Sequence, residues 1–302
     1  MSFTNGKFGE RFQGGQDGVF EKKCESIDEM LEYYVKEIKK NFKKYDDEGF
    51  VCGDGSIRMS SFIRKKNGPY KKEEVKDDAR IKDKKMRDWA KDFYELDSNA
   101  SEEALEEKIK EYRAIKKSGN GEKLEKYLLV NLNRILAPDY FVVHASEYDD
   151  LANGVDFVVV EADTGIVACG FDSVYDKKGG GRYKEKAEKL RKKSERYGSK
   201  LKYGFVFENG EMIKKQLTNL PNFFLNMDLE DIKKLERNMN YTVGEEQKPS
   251  GTELDTFDKI VLALEEQMND FYQNENINLK VRGNLKVFEA TLGRIKENRA
   301  RL

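Results

Sequence analysis

The strongest constraint on the fold is a change in apolar spacing between residues 121 and 207, from helical to strand-like and back. Residues 122–136 carry leucines at helical spacing, and Pro138 prevents this helix from continuing. Three runs rich in β-branched and aromatic residues follow, at residues 140–145, 155–160 and 166–175. The pattern therefore predicts one helix followed by three strands.

A second helix and a fourth strand are predicted next. Residues 182–197 form a basic segment with Ala187 and Leu190 as its apolar residues, and Gly198 stands where a helix would end. Residues 201–207 are then predicted to form a strand that ends at the turn signal Asn209-Gly210. The order helix, three strands, helix, strand places this part of the chain in the α/β class.

The segments on both sides of this core are rich in charged residues. Residues 1–20, with many glycines and no apolar period, are predicted to form a mobile tail. A helix is predicted from Ser26 onward, and the sequence Ser-Gly-Asn-Gly at residues 118–121 marks the start of the core. We therefore predict a charged helical N-terminal region at residues 21–118, an α/β core at 119–210 and a C-terminal helical region at 211–302.

Composition excludes several kinds of chemistry. The three cysteines are far apart, and His144 is the single histidine, so zinc sites, disulfide frameworks and histidine-based triads have almost no material. The sequence contains no apolar run of about 18 residues for a membrane span, and its N-terminus lacks the apolar core of a secretory signal. We therefore expect a cytoplasmic protein with no membrane partner, whose acid–base or metal chemistry uses carboxylates and lysines.

Two aspartates occupy neighbouring predicted strands. Asp156 opens the run Gly-Val-Asp-Phe-Val-Val, Asp172 lies within Cys-Gly-Phe-Asp-Ser-Val, and Asp163-Thr164-Gly165 is a hairpin turn signal between them. Two close carboxylates oppose each other's ionisation, and a hard cation such as Mg²⁺ removes that cost. The pair therefore indicates a metal site. The alternative is that each aspartate caps a strand end or faces solvent.

A glutamate in the first predicted helix is a further candidate ligand. Glu125 shares a helix face with Leu128, Leu129 and Leu132, where an unpaired carboxylate is costly to bury. Glu122, one turn earlier, is the competing position. The alternative interpretation is a glutamate at the helix boundary that pairs with a neighbouring lysine.

The second predicted helix is strongly basic although the net charge of the whole chain is only −1. Residues 177–202 contain twelve lysines and arginines against three glutamates. Next to a metal site, such a segment would bind the phosphate backbone of nucleic acid. The residues expected to do so are Lys184, Lys189, Lys192 and Lys193. The alternative is an ordinary solvated helix face.

These residues together resemble the PD-(D/E)xK, restriction-endonuclease-like superfamily, whose core has the order predicted here for residues 121–207. The segment 148–156, Tyr-Asp-Asp-Leu-Ala-Asn-Gly-Val-Asp, is also similar to uncharacterised bacterial proteins of this type. The resemblance implies a three-layer core with a mixed sheet and helical additions at both ends. It further implies that Asp156, Asp172 and Glu125 hold Mg²⁺ or Mn²⁺.

The sequence departs from the superfamily pattern at one position. Val174 stands two residues after Asp172, where the motif has a lysine that helps to activate water. Asp176-Lys177-Lys178 has the motif's spacing and is one alternative. In the superfamily the lysine can also move to the following helix, and Lys186 is the predicted replacement because it shares a face with Leu190. Lys184 and Lys189 are alternatives on the same helix.

The resemblance implies a metal-dependent nuclease that hydrolyses phosphodiester bonds in nucleic acid, with DNA favoured over RNA. Catalysis would then use Glu125, Asp156, Asp172 and Lys186. Two other functions stay open from the sequence. One is a catalytically inactive nuclease-like core that binds nucleic acid or a protein, and the other is a helical interaction protein in which the sheet is a scaffold.

Overall fold

The computed structural model describes residues 21–43, 49–64, 68–96, 101–208, 211–244 and 247–300. Within these ranges the helices are α1 (Ile27–Lys43), α2 (Lys72–Phe93), α3 (Glu102–Lys117), α4 (Asn120–Leu136), α5 (Gly181–Arg196), α6 (Leu229–Asn238), α7 (Gly251–Gln273) and α8 (Leu279–Arg299). The strands are β1 (Glu21–Lys23), β2 (Tyr140–His144), β3 (Phe157–Glu161), β4 (Val167–Tyr175), β5 (Ser199–Leu201), β6 (Phe205–Glu208), β7 (Glu211–Lys214), β8 (Leu217–Leu220), β9 (Asn222–Met227) and β10 (Thr242–Gly244). A 3₁₀ turn spans Met59–Phe62, and a π-helical turn spans Asp149–Asn153.

A mixed four-stranded sheet lies at the centre, with the strand order β2, β3, β4, β9. The first three strands are antiparallel neighbours, and β9 runs parallel to β4. Gly165 closes the turn between β3 and β4 at a φ of +65°. A Cβ at this position would collide with the Phe207 ring, so the turn requires glycine here. The predicted α/β class and the adjacency of the second and third strands are confirmed.

The prediction that residues 201–207 form the fourth strand of the sheet is wrong. β5 pairs with β8 and β6 pairs with β7, outside the four-stranded sheet. The fourth strand is β9, which lies in the segment predicted to be helical. Residues 201–207 and β9 are both short apolar runs, and local spacing does not determine which of the two pairs with β4. The predicted turn at Asn209-Gly210 lies outside the described residues.

Both faces of the sheet are covered, as the alternation of buried side chains requires. Val142 and Val159 point to the face covered by α4 and the C-terminal helices α7 and α8. Val143 and Val158 point to the opposite face, which packs against α1 and the segment 49–64. The C-terminal helices therefore share a core with the sheet.

The predicted helical additions are present on both sides of the sheet. α1, α2 and α3 precede it, and α6, α7 and α8 follow its last strand. Ser26 accepts a hydrogen bond from the Glu29 N–H at 3.3 Å, as expected for the cap of α1. The predicted mobile tail at residues 1–20 lies outside the described residues. None of the described helices is long and apolar enough to cross a membrane.

Candidate active site

The two predicted aspartates meet where β3 begins. Phe157 in β3 is paired with Phe171 in β4, so Asp156 and Asp172 are the next residues along the two paired segments. The Asp156 N–H donates to the Phe171 carbonyl at 2.7 Å. One oxygen of the Asp156 carboxylate accepts the Ser173 N–H at 2.6 Å and also the Ser173 hydroxyl. These bonds fix Asp156 beside the second acid.

Lys186 reaches this pair from α5. Its ammonium donates to Oδ1 of Asp172, whose side chain is 7 % exposed. Asp176 accepts the Tyr183 N–H at 3.1 Å and thereby holds the first turn of α5 against the end of β4. One turn later, Lys186 faces the sheet. Val174, in the position of the superfamily lysine, is buried in the core.

The other candidate lysines make different contacts. In the alternative Asp176-Lys177-Lys178, the aspartate binds backbone N–H groups, and Lys178 pairs with Glu266 at 2.7 Å. Lys184 and Lys189 are exposed, and Lys189 pairs with Glu185 at 2.5 Å on the outer side of α5. The structure therefore brings Lys186 to Asp172 and directs Lys178 and Lys189 elsewhere.

Glu125 and an aspartate that the sequence analysis did not assign, Asp150, join the cluster. Burial, together with repulsion from the carboxylates of Asp156 and Asp150, raises the pKa of Glu125 to about 8. Burial raises the pKa of Asp156 to about 6, with added repulsion from Asp150. Asp150 is exposed at the mouth of the cleft, so solvent screens part of this repulsion.

Asp172 completes the set of four interacting carboxylates. Burial raises its pKa to about 6, repulsion from Asp156 adds to the rise, and Lys186 opposes it. Lys186 also lowers the pKa of Asp156 and Asp150. Asp156 and Asp172 lie opposite each other on antiparallel segments, so their side chains point to the same face of the sheet.

The position of Asp150 depends on the π-helical turn and on its buried neighbour Asp149. The Asp149 carboxylate accepts the Lys202 N–H at 2.6 Å and the Tyr203 N–H at 3.0 Å. The side chains of Ser146 and Asn153 also donate to it. The turn then ends at a Gly154 with a φ of +61°. These bonds hold the turn, and with it Asp150, above Asp156.

A cleft of about 440 Å³ opens over the cluster and is lined by Glu125, Asp150 and Asp156. Its far wall includes His144 and the turn at Asp54. His144 stacks against Phe157 with ring centroids 4.6 Å apart, and burial lowers the pKa of His144 to about 4. The histidine is therefore neutral at neutral pH, and the positive charge at the cleft comes from lysines.

The basic residues of α5 divide into an outer and an inner group. Lys184, Lys189 and Lys192 are exposed, and Lys192 pairs with Glu188 at 3.2 Å. Lys193, predicted to bind nucleic acid with them, is turned inward. Its ammonium donates to the Asn153 carbonyl and lowers the pKa of Asp172. The outer face thus retains three of the four lysines predicted to contact phosphates.

Comparison with known proteins reveals no relative. No protein-family model, curated protein or solved structure matches the chain. The function must therefore be inferred from the chemistry of the site itself.

The carboxylates suit a divalent metal ion by their chemistry, although they are not arranged around one. Among the described residues, no group of three or more His, Cys, Asp or Glu side chains is placed to hold a metal ion. Hard cations such as Mg²⁺ prefer carboxylate oxygens, and burial together with mutual repulsion raises the pKa of Glu125, Asp156 and Asp172. Lys186 and Ser173 each donate a hydrogen bond to one carboxylate oxygen, on Asp172 and Asp156 respectively.

Replacing Glu125 with glutamine should stabilise the protein at pH 8 in the presence of a chelator. The folded-state pKa of Glu125, about 8, lies above its ordinary value of 4.5. Its contribution to stability is therefore complete below about pH 4.5 and is lost as the pH rises through 8. Glutamine keeps the shape without the charge, so we expect a gain of on the order of 1 kcal/mol, or roughly 2 °C in Tm.

Thermal unfolding at pH 8 and pH 4.5 checks this prediction. The gain should vanish at pH 4.5, where the wild-type carboxyl is already protonated. Glu122→Gln is the matched control, because Glu122 lies one turn earlier and is within 3.7 Å of Lys126. An unchanged or lower Tm for Glu125→Gln at pH 8 would show that this carboxylate is not under electrostatic strain.

Proposed function

We propose that the protein is a metal-dependent nuclease that hydrolyses phosphodiester bonds in nucleic acid, with DNA as the favoured substrate. The observation that carries the proposal is the meeting of Asp156, Asp172 and Lys186 from two paired strand segments and the following helix. We also propose membership of the PD-(D/E)xK superfamily. The four strands of the sheet and the helices α4 and α5 support this assignment, since they follow the order helix, three strands, helix, strand once β5 to β8, which precede β9 and lie outside the sheet, are set aside.

In this proposal Asp156, Asp172 and Glu125 hold Mg²⁺ or Mn²⁺. The metal ion would polarise the scissile phosphate and lower the pKa of the attacking water. Lys186 donates to a phosphate oxygen and stabilises the negative charge that develops there. Asp150 lines the cleft and has a pKa of about 6, so its carboxylate can accept a proton near neutral pH.

Cleavage assays on single- and double-stranded DNA and RNA test the proposal. Each substrate is incubated with the purified protein in Mg²⁺, in Mn²⁺ and in a chelator. We expect cleavage of at least one substrate with metal ion, and its loss with chelator. If no substrate is cleaved with either metal ion, the nuclease proposal is wrong.

A second candidate is an inactive nuclease-like core that binds nucleic acid or a protein. The buried Val174 in the position of the superfamily lysine favours it. This candidate predicts salt-sensitive binding without turnover. It would account for a negative result in the cleavage assays.

Both candidates predict that the outer face of α5 binds phosphates. Changing Lys184, Lys189 and Lys192 together to alanine should weaken nucleic-acid binding similarly for all sequences. It should also reduce the slope of log affinity against log salt by up to about three, roughly one for each lost phosphate contact. Fluorescence anisotropy of labelled oligonucleotides over a range of salt concentrations measures both effects.

The control for this change carries the same loss of charge elsewhere. Lys36, Lys39 and Lys43 are exposed on α1, and their joint replacement by alanine should leave the slope unchanged. Equal loss of binding in the two triple variants would indicate an effect of overall charge, and the assignment of the α5 face would be incorrect.

A further inference from the structure

The N-terminal helices α2 and α3 pack beside the π-helical turn that borders the cleft. They pack on each other through Ala90, Leu105 and Ile109. The Lys85 ammonium of α2 donates to the Leu151 carbonyl within the π-helical turn, one residue from Asp150. The helical pair is therefore fixed to the loop that carries the exposed acid of the site.

Lys116, in the last turn of α3, is a further cation at the carboxylate cluster. Its ammonium lies 3.8 Å from the centroid of the Trp89 ring of α2. Burial lowers the pKa of Lys116, and the nearby carboxylates of Asp150, Glu125 and Asp156 oppose this shift. Aromatic rings hold an ammonium by its charge while leaving its N–H groups able to donate to other acceptors.

Three lysines thus face the cluster, and they differ in their partners. Lys186 is bonded to Asp172, and Lys193 is bonded to the Asn153 carbonyl. Within the described ranges, Lys116 forms no ion pair with a carboxylate, and the Trp89 ring is its nearest aromatic contact. Lys116 therefore keeps its ammonium N–H groups available for an incoming phosphate, whereas Lys186 and Lys193 each already direct one N–H to a protein oxygen.

Arg182 of α5 adds positive charge near Lys116, and the Trp89 ring lies beside Lys116. The positive charge of Arg182, exposed in the first turn of α5, lowers the pKa of both Lys116 and Tyr112. Trp89 is half-buried and lies 5.9 Å from a second ammonium, that of Lys85. A positive track with an interleaved aromatic ring is the arrangement that binds single-stranded nucleic acid, because bases stack on the ring while lysines contact phosphates.

We propose that α2 and α3 form a substrate-binding arm that delivers single-stranded nucleic acid to the carboxylate cleft. In this arm Lys116 binds a backbone phosphate next to the cluster, and Trp89 stacks on a base. The proposal rests on the proposed nuclease function of the cleft for its biological role. It assigns a task to the N-terminal helical region, for which the sequence alone indicates none.

The single tryptophan of the chain makes the proposal directly measurable. Trp89 is that residue, so its intrinsic fluorescence reports on the arm. The full-length protein is titrated with single-stranded oligothymidylate and with a duplex of equal length, in chelator so that nothing is cleaved. We expect saturable quenching by the single strand and weaker quenching by the duplex. Lys116→Met should reduce the affinity for oligothymidylate about tenfold while keeping the reporter.

Lys110→Met is the matched control, because Lys110 is exposed on α3 and lies on another side of that helix. Its affinity should equal that of the wild type. Absence of quenching, equal affinity for duplex, or a Lys116→Met variant that binds like the wild type would overturn the proposal. The titration needs no metal ion and no turnover. Cleavage without Trp89 quenching would therefore reject only the arm, and quenching without cleavage would reject only the nuclease.

Discussion

Asp172→Asn should abolish metal-dependent cleavage, with a loss of at least about a thousandfold, and leave the fold intact. The change removes one of the two aspartates that meet at the start of β3, and a lost metal ligand removes several kcal/mol of charge stabilisation in the transition state. Asparagine keeps the shape of this buried side chain. Asp156→Asn should behave in the same way, since an amide oxygen can still accept a hydrogen bond from Ser173.

Cleavage rates and thermal unfolding of the same preparations check this prediction. Because burial raises the pKa of Asp172 to about 6, its charge is costly at pH 8. The asparagine variant should therefore unfold at the same temperature as the wild type or above it. Asp163→Asn, in the exposed turn between β3 and β4, is the matched control and should cleave normally. A variant that is folded and retains its rate would remove Asp172 from catalysis.

Lys186→Met should slow cleavage about a hundredfold while metal binding is kept or strengthened. The ammonium that stabilises the developing charge is lost, and a single such donor is worth on the order of a hundred- to a thousandfold in rate. The same ammonium occupies Oδ1 of Asp172 and lowers the pKa of three aspartates. Without it, a metal ion meets no competing cation at this oxygen.

Slower cleavage with undiminished metal affinity would show that Lys186 stabilises charge during the reaction. A purely structural role would not produce this combination. Calorimetric titration with Mg²⁺ and single-turnover cleavage measure the two quantities independently. Lys39→Met is the control, because Lys39 is exposed on α1 and lies outside both the carboxylate cluster and the basic face of α5. A Lys186→Met variant with the wild-type rate would show that the missing lysine of the motif is not replaced from this helix.

Much of the sheet follows from local spacing, and its last strand does not. The runs that became β2, β3 and β4 are bounded by Pro138 and by the turn at Gly165, so each is defined by its own neighbours in sequence. The choice of β9 over residues 201–207 depends on pairing with β4 across an intervening excursion through β5, β6, β7 and β8. This pairing is a tertiary contact, and the spacing of apolar residues in the sequence does not reveal it.

The site shows the same division between local and tertiary information. The hairpin signal was enough to place Asp156 beside Asp172, and helical spacing was enough to turn Lys186 toward the sheet. Asp150 lies within the segment 148–156, but its place in the cluster could not be predicted. It depends on a π-helical turn held by the buried Asp149, and such a turn has no recognised sequence pattern. Lys116 lies over the Trp89 ring because α3 packs on α2, and α2 in turn contacts the π-helical turn through Lys85. Contacts of this kind, between segments that are far apart in sequence, can be identified only from the folded structure.

The most direct test of the proposed metal centre is Mn²⁺ binding followed by electron paramagnetic resonance in the absence of nucleic acid. Titration of the wild-type protein at pH 8, where the aspartates with pKa values of about 6 are ionised, should remove the signal of the free ion as the site fills. The double variant Asp156→Asn/Asp172→Asn should leave that signal unchanged. A wild-type protein that binds no Mn²⁺, or a double variant that binds it as tightly, would contradict the metal-dependent nuclease.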